Sequence, residues 1–377
     1  MRTANPKGGI TRRGFLELSS VALATAGIVG DADVARAGDD PATTVDAAKA
    51  DPAPITGKIA LEEHFLLPET GAPGSGPGFA VFTAELQRQL KEMGSGRIAD
   101  MDRGGVELAI LSNSGPTAIQ AIPNVKEAVD TARRSNDYLA ESIAKYPKRL
   151  KGFAALPLQD PQAAAQELTR CVKELGFCGT LVSGFSQIGE ADSAFYYDLP
   201  QYRDFWASVQ QLDVPFYLHP RPTLSTRQQG YAGHPWLVGS AWGYAVETSL
   251  HALRLMGSGL FDEYPKLKII LGHLGEGLPF SIWRLDHRIF RDGRAIPAKM
   301  PMAHYLRENF YITTSGNFRT QALTDVILEV GADRVLYSVD YPFEDMTEAA
   351  TWFDQTAISE TDRVKIARGN AEKLFHF

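Results

Sequence analysis

The sequence predicts an α/β protein folded as a (β/α)8 TIM barrel, and three observations predict it. Strand-like apolar runs alternate with helix-like segments from residue 57 to the end, the pattern of a parallel sheet wrapped by helices. Four of those runs end in residue types that bind metals. Ile59-Ala60-Leu61 runs into Glu62-Glu63-His64, Phe216-Tyr217-Leu218 into His219, Ile269-Ile270-Leu271-Gly272 into His273, and Val335-Leu336-Tyr337-Ser338-Val339 into Asp340. In a closed parallel barrel the C-terminal ends of different strands converge on one mouth, however far apart they lie in sequence. Length is the third observation: 377 residues accommodate one barrel of about 250 residues with insertions.

Eight strands are expected at about 58–63, 106–112, 151–155, 179–182, 215–218, 268–271, 310–314 and 335–339. Helices are expected at 80–103, 123–147, 160–176, 200–213, 243–264, 278–292, 319–330 and, in two pieces, 345–374. Asp160-Pro161 supplies a cap and an N1 proline, and Ser359 with Asp362 resembles a capping box. Two segments interrupt the rhythm: the Gly/Pro-rich loop at 70–78 and a long loop at 220–242 containing Tyr231, His234, Trp236 and Trp242. The second is long enough to be functional. Both follow strands that end in candidate ligands, so both should border the mouth.

The first residues form a separate object. Thr11-Arg12-Arg13-Gly14-Phe15-Leu16 precedes a mildly apolar stretch, Val21 to Gly30, and then Ala35-Arg36-Ala37. Paired arginines, a short apolar region and a small-x-small site read as a twin-arginine export signal over residues 1–37. The apolar region is shorter than the roughly 20 residues that cross a bilayer, so no stable membrane span is expected. Residues 38–56 read as a disordered linker and 57–377 as the catalytic barrel. The expected location is periplasmic or extracellular, the alternative cytoplasmic. Cys171 and Cys178 show no metal-binding spacing. An exported protein could pair them, but two free thiols are expected, because a helix-to-strand turn would have to satisfy the bridge geometry. A net charge of -7 and a pI near 5.7 offer no basic footprint for nucleic acid. A small molecule is the default partner.

Along a strand, side chains alternate faces, so Glu62 and His64 point to one side and Glu63 to the other. A single histidine such as His219 is more often a satisfied core or surface residue than a ligand. Two histidines and two carboxylates at strand ends are what a divalent cation with mixed nitrogen and oxygen preferences requires. His287 and His304 lie in or beside helices and are assigned to structure, as are His251 and His376; His234 is a loop residue able to line the pocket. In His273-Leu274-Gly275-Glu276 the glutamate can reach the imidazole, fix its tautomer and raise its basicity. The alternative for Glu276 is a helix cap.

Five strings carry a family resemblance: Lys58-Ile59-Ala60-Leu61-Glu62-Glu63-His64-Phe65, Tyr217-Leu218-His219-Pro220, Gly233-His234-Pro235-Trp236, Gly272-His273-Leu274-Gly275-Glu276-Gly277 and Asp340-Tyr341-Pro342-Phe343-Glu344. They resemble the amidohydrolase-related decarboxylases of the aminocarboxymuconate-semialdehyde type, and within them the branch of γ-resorcylate and 2,3-dihydroxybenzoate decarboxylases. The resemblance spans residues 57–375. It implies a barrel of the metal-dependent hydrolase superfamily with one divalent ion, Zn2+ or Mn2+ with Mg2+ as a third option, held by Glu62, His64, His219 and Asp340. Binuclear relatives resemble one another in a bridging lysine on the fourth strand, and Gly179-Thr180-Leu181-Val182-Ser183 has none. His273 with Glu276 would be a catalytic pair, Asp340 the acid that protonates the ring carbon, and Arg284 a substrate-facing residue. Phe65, His234, Trp236 and Phe343 would wall a pocket for a flat ring. The sequence departs from the branch at Ser114, where asparagine is usual, and at Tyr341, where tryptophan is common; both bear on the ring substituents. The implied reaction is non-oxidative decarboxylation of a hydroxybenzoate by a homodimer or homotetramer. The rival reaction is metal-dependent hydrolysis of a lactone, ester or amide with Asp340 as base, and the non-enzymatic rival is a secreted binding protein.

Overall fold

The computed structural model describes residues 55–70, 83–113 and 118–377. The expected export signal, nearly all of the linker, most of the 70–78 loop and the departure at Ser114 lie outside the described residues. The chain divides into Met1–Ala50 and Asp51–Phe377, and the second unit contains every element below.

The eight expected strands are present: β1 Lys58–Phe65, β2 Val106–Asn113, β3 Leu150–Gly152, β4 Thr180–Ser183, β5 Phe216–His219, β6 Ile269–Leu271, β7 Phe310–Thr313 and β8 Val335–Leu336. Parallel ladders join β1 to β3 and β4 to β8 in sequence order. Isolated bonds span the two seams between the ladders of this (β/α)8 barrel. Ala154 bridges Thr180 between β3 and β4, and the His64 N–H donates to the Tyr341 carbonyl at 2.7 Å between β1 and the end of β8.

The helices are α1 Ala84–Lys91, α2 Ser95–Arg103, α3 Val125–Ile143, α4 Pro161–Lys173, α5 Arg203–Leu212, α6 Gly243–Gly257, α7 Leu260–Glu263, α8 Leu278–Arg291, α9 Met302–Asn309, α10 Thr320–Val330, α11 Met346–Gln355, α12 Glu360–Val364 and α13 Asn370–Phe375, with a π turn at Lys365–Gly369. Asp160 caps α4 through the N–H groups of Gln162 and Ala163, and Ser359 caps α12 through that of Asp362, as expected. The single helix expected at 80–103 is two. Buried Arg97 donates back to the carbonyls of Glu92 and Gln89, satisfying the end of α1 and stopping it before Gly94. Helix α9 was not expected at all; its first N–H groups, Met302 and Ala303, are capped by the carboxylate of Asp286, 16 and 17 residues away. No helix among the described residues is long and apolar enough to cross a membrane. Cys171 and Cys178 are free thiols.

Strand alternation divides the core into two layers. Ile59, Leu61, Ile110, Phe153, Leu181, Tyr217, Ile270 and Leu336 fill the barrel interior, while Ala60, Ala109, Leu111, Val182, Phe216, Leu218 and Leu271 pack outward against the helices. The floor is closed from below by Ala371 and Leu374 of α13. Phe375 packs on Phe153 at 5.8 Å, and Phe153 on Tyr217 at 6.1 Å between ring centroids. Polar side chains take over above Tyr217, at the C-terminal ends of the strands.

Candidate metal centre

Four side chains from β1, β5 and the end of β8 meet at the mouth. One donor atom each from Glu62, His64, His219 and Asp340 lies within 4.8 Å of all the others. His64 Nε2 is 3.0 Å from Asp340 Oδ1, and His219 Nε2 is 3.2 Å from Glu62 Oε1. Three of these donors are oriented from behind. His219 Nδ1 donates to the Pro220 carbonyl at 2.9 Å, which orients the ring and turns Nε2 toward the Glu62 carboxylate. His64 Nδ1 pairs with Ser112 Oγ at 3.1 Å. Glu62 Oε2 accepts from the hydroxyls of Tyr217 and Ser315, so Oε1 is the oxygen left for the centre. At Gly272 an added Cβ would come within 2.8 Å of that Oε2, so only glycine lets the carboxylate sit there.

Glu62 Oε1, His64 Nε2 and Asp340 Oδ1 are all buried without a hydrogen-bond partner. Three such atoms aimed at one point are costly unless something shared satisfies them. The set of two nitrogens and two oxygens fits one divalent cation of the zinc or manganese kind better than magnesium, which favours oxygen alone. Burial opposes ionisation of Glu62, yet the charges of His273, His219 and His64 hold its carboxyl well below the ordinary range. Neighbouring Glu63 faces the other way, as expected, and burial pushes its carboxyl up to about 8.

The His273 turn is strained. His273, Leu274 and Glu276 all have left-handed backbones, with φ of 52°, 56° and 57°. The result places His273 Nδ1 2.7 Å from Glu276 Oε1 and its Nε2 3.7 Å from Asp340 Oδ2. Burial alone would lower the imidazole pKa, but Glu276, Glu62 and Asp340 raise it well above the usual value. The capping alternative for Glu276 is excluded, because Gly277 precedes α8 and no side chain caps that helix. His273 is 24% exposed at the mouth, so its ring can exchange protons with solvent.

Phe343 lies edge-on to His64 at 5.7 Å, beside the centre. Two other substrate-facing expectations, Phe65 and Arg284, are corrected. Phe65 follows His64 by one residue, faces outward and packs on Tyr138 at 5.9 Å. Arg284 is exposed, because α8 turns Leu278, Pro279 and Ile282 inward and Arg284 to the opposite face. His234 and Trp236 are exposed and pack edge-on against each other at 4.9 Å. Of the histidines assigned to structure, His251 is buried, accepts the Tyr197 N–H and is held to about 3 by burial; His287 stacks on Trp283, His304 packs edge-on against Tyr305, and His376 sits near Asp213.

Several contributors were not singled out from the sequence. Ser112, Tyr217, Thr313 and Ser315 face inward and support Glu62 or His64; period-two counting from the apolar interior positions would have found them. Arg221, buried over the Phe185 ring, donates to the carbonyls of Gln120 and Phe185 and to Gln187 Oε1, fastening three rim loops. Glu344 is pushed up to about 7 by burial and by Asp340.

A family profile described as Amidohydrolase matches residues 80–377. A gamma-resorcylate decarboxylase of Rhizobium sp. (strain MTP-10005) is 56% identical over 323 residues, covering 85% of this chain and 98% of the relative. One of Rhodococcus jostii (strain RHA1) is 56% identical over 326 residues, covering 85% of this chain and 99% of the relative. Among solved structures, a dihydroxybenzoic acid decarboxylase from Polaromonas sp. JS666, with bound manganese and the inhibitor 2-nitroresorcinol, aligns with a TM-score of 0.82 at 56% identity over 85% of this chain and 97% of that one.

Proposed function

This chain belongs to the amidohydrolase family, and from that premise we propose that it is a metal-dependent carboxy-lyase that removes the carboxyl group of a hydroxybenzoate. The observation that carries the reading is the cluster of orphaned donor atoms with the His273 imidazole, held by Glu276, beside Asp340. The named activities of its 56% identical relatives support it, as does the manganese in a structural neighbour.

Glu62, His64, His219 and Asp340 would hold the divalent cation, which when bound supplies Lewis-acid charge for the substrate's carboxylate and adjacent phenolic oxygen. Asp340 delivers a proton to the ring carbon that bears the carboxylate, forming the new C–H bond. The C–C bond then breaks, its electron pair restores the aromatic ring, and carbon dioxide departs. His273 returns a proton to Asp340 across the 3.7 Å gap and is itself recharged from solvent. Glu276 keeps the imidazole oriented and charged for that transfer. Phe343 offers an apolar edge beside the ligands and helps to exclude water. The decisive experiment incubates manganese-loaded protein with 2,6- and 2,3-dihydroxybenzoate and, separately, with lactones. Carbon dioxide from a dihydroxybenzoate is expected; lactone opening without it would point to the hydrolytic rival.

Replacing Glu276 with Gln removes the largest influence that raises the His273 pKa. Glu276→Gln is therefore expected to move the His273 titration to lower pH in the metal-free protein, seen in its imidazole NMR signals. Turnover should fall about 10- to 100-fold, with the alkaline limb of its pH profile shifted down.

Phe280, Trp283 and Phe290 are 84%, 70% and 89% exposed and, with His287, lie along one stripe of α8. We assign this stripe to contact with a second copy in a homodimer or homotetramer. The double variant Trp283→Glu, Phe290→Glu should sediment as a monomer, whereas an unchanged sedimentation coefficient would remove α8 from the interface.

Export by the twin-arginine pathway is the further proposal for the N-terminal residues. It rests on Arg12-Arg13 and on the fact that the likeness takes in nearly all of each relative but 85% of this chain. The double variant Arg12→Lys, Arg13→Lys should retain the protein in the cytoplasmic fraction of a bacterial host, and unchanged fractionation would refute the signal.

A further inference from the structure

A strand continuing the alternation of Ile59 and Leu61, both inside the barrel, would turn Glu63 toward the mouth and Glu62 into the helix layer. The opposite is observed. Pairing with β2 steps from Ala60–Ala109 to Glu63–Leu111, three residues of β1 against two of β2. This β-bulge resets the phase, so that Glu62 and His64 reach the four-donor group while Phe65 packs outward.

One hydroxyl holds the bulge. The successive N–H groups of Leu61 and Glu62 both donate to Ser338 Oγ, at 3.2 and 2.6 Å. That hydroxyl donates to Glu63 Oε1 at 3.4 Å, and the same oxygen accepts the Val339 N–H at 3.2 Å, one residue before Asp340. Ser338 is held in turn by Thr314, whose hydroxyl accepts the Ser338 N–H at 3.0 Å and donates to the Ser338 carbonyl at 2.9 Å. All six residues of this knot, Leu61, Glu62, Glu63, Thr314, Ser338 and Val339, are buried. No ladder joins β8 to β1 among the described residues. The knot, with the His64–Tyr341 bond, therefore sets the register between the two strand ends that carry Glu62, His64 and Asp340.

We infer that Ser338 and Glu63 are positioning residues that hold the β1 bulge and so determine that Glu62, and not the adjacent Glu63, faces the metal centre. The inference rests on reading the four-donor group as a divalent-cation site. Without the hydroxyl, two buried N–H groups lose their acceptor and the alternation is free to resume. A slip of one residue would exchange the two glutamates and turn His64 outward.

The test uses Mn2+ alone as the probe on the full chain after metal removal, with affinity read by competition against a chelating dye. Ser338→Ala is expected to weaken Mn2+ binding about 10- to 100-fold and to change the electron paramagnetic resonance line shape of the bound ion, while Ser338→Thr, which keeps the hydroxyl, stays near the parent. Glu63→Leu removes the acceptor for Val339 and should weaken binding likewise; Glu63→Gln, whose amide oxygen can still accept, should not. A folded Ser338→Ala protein that binds Mn2+ as the parent does overturns the inference. If that variant fails to fold, equal affinities in the two Glu63 variants overturn it instead. A parent that binds Mn2+ but releases no carbon dioxide from any dihydroxybenzoate sinks the proposed reaction, and the affinity comparison still decides the positioning role. A parent that binds no Mn2+ sinks both.

Discussion

Asp340→Asn is expected to lower kcat by about 10²- to 10⁴-fold, the range that a positioned proton donor contributes, while the protein folds and keeps most of its metal. The substitution removes the proton that the ring carbon must receive. It preserves nearly everything else: the side-chain volume, an oxygen able to face His64 Nε2, and a backbone that asparagine tolerates. That last point matters because Asp340 sits at a φ of +80°, a conformation in which most replacements are strained but asparagine is comparatively at ease. Loss of turnover can thus be separated from loss of fold by the melting temperature and from loss of the ion by metal analysis. Turnover within a few-fold of the parent would remove Asp340 from the acid role, and a collapse in metal content would recast it as a ligand only.

Removing the metal is the second large effect. Chelation should reduce carbon dioxide release to background, and Mn2+ or Zn2+ should restore it. The melting temperature should fall as well, since an ion present at about 100 times its Kd stabilises the native state by about 2.7 kcal/mol. Glu62→Gln should reproduce the chelated state irreversibly. The hydroxyls of Tyr217 and Ser315 need an acceptor at the Oε2 position, so the amide oxygen of glutamine will turn to them. Its NH2 group then points at the centre, where it cannot ligate. A Glu62→Gln protein that retains a full equivalent of ion would refute this assignment of oxygens. Acid is a milder probe of the same carboxylate in the metal-free protein. Because Glu62 is held below its ordinary pKa in the fold, its contribution to stability is present above the unfolded value of 4.5 and is lost as pH falls toward the depressed folded value.

The sequence made the candidate ligands legible because strand ends in a parallel barrel converge, so four coordinating side chains at three run-ends were enough to bring Glu62, His64, His219 and Asp340 together. The His273–Glu276 pair was legible for a similar reason: both members lie in one short turn with a glycine between them. What was not legible depends on partners far away in the chain. The bulge in β1 is held by Ser338, 276 residues beyond Glu62, and nothing in Glu62-Glu63-His64 reports it. Helix α9 depends on Asp286, and the end of α1 on a buried arginine from the next helix. Arg284 is assigned to the substrate through the resemblance, and local sequence does not reveal that α8 turns it to the exposed face. Phe65 shows the reverse error, since plain alternation from His64 would have placed it in the helix layer.

The rings of Phe375, Phe153 and Tyr217 pack edge-on and tilted in an unbroken column from the base of the barrel to the oxygen of Glu62. Chemistry at the rim is thereby coupled mechanically to the last few residues of the chain. Trimming Phe375 would loosen the pillar on which the Glu62 carboxylate stands, so an alteration that looks remote on a linear map acts directly beneath the proposed metal centre.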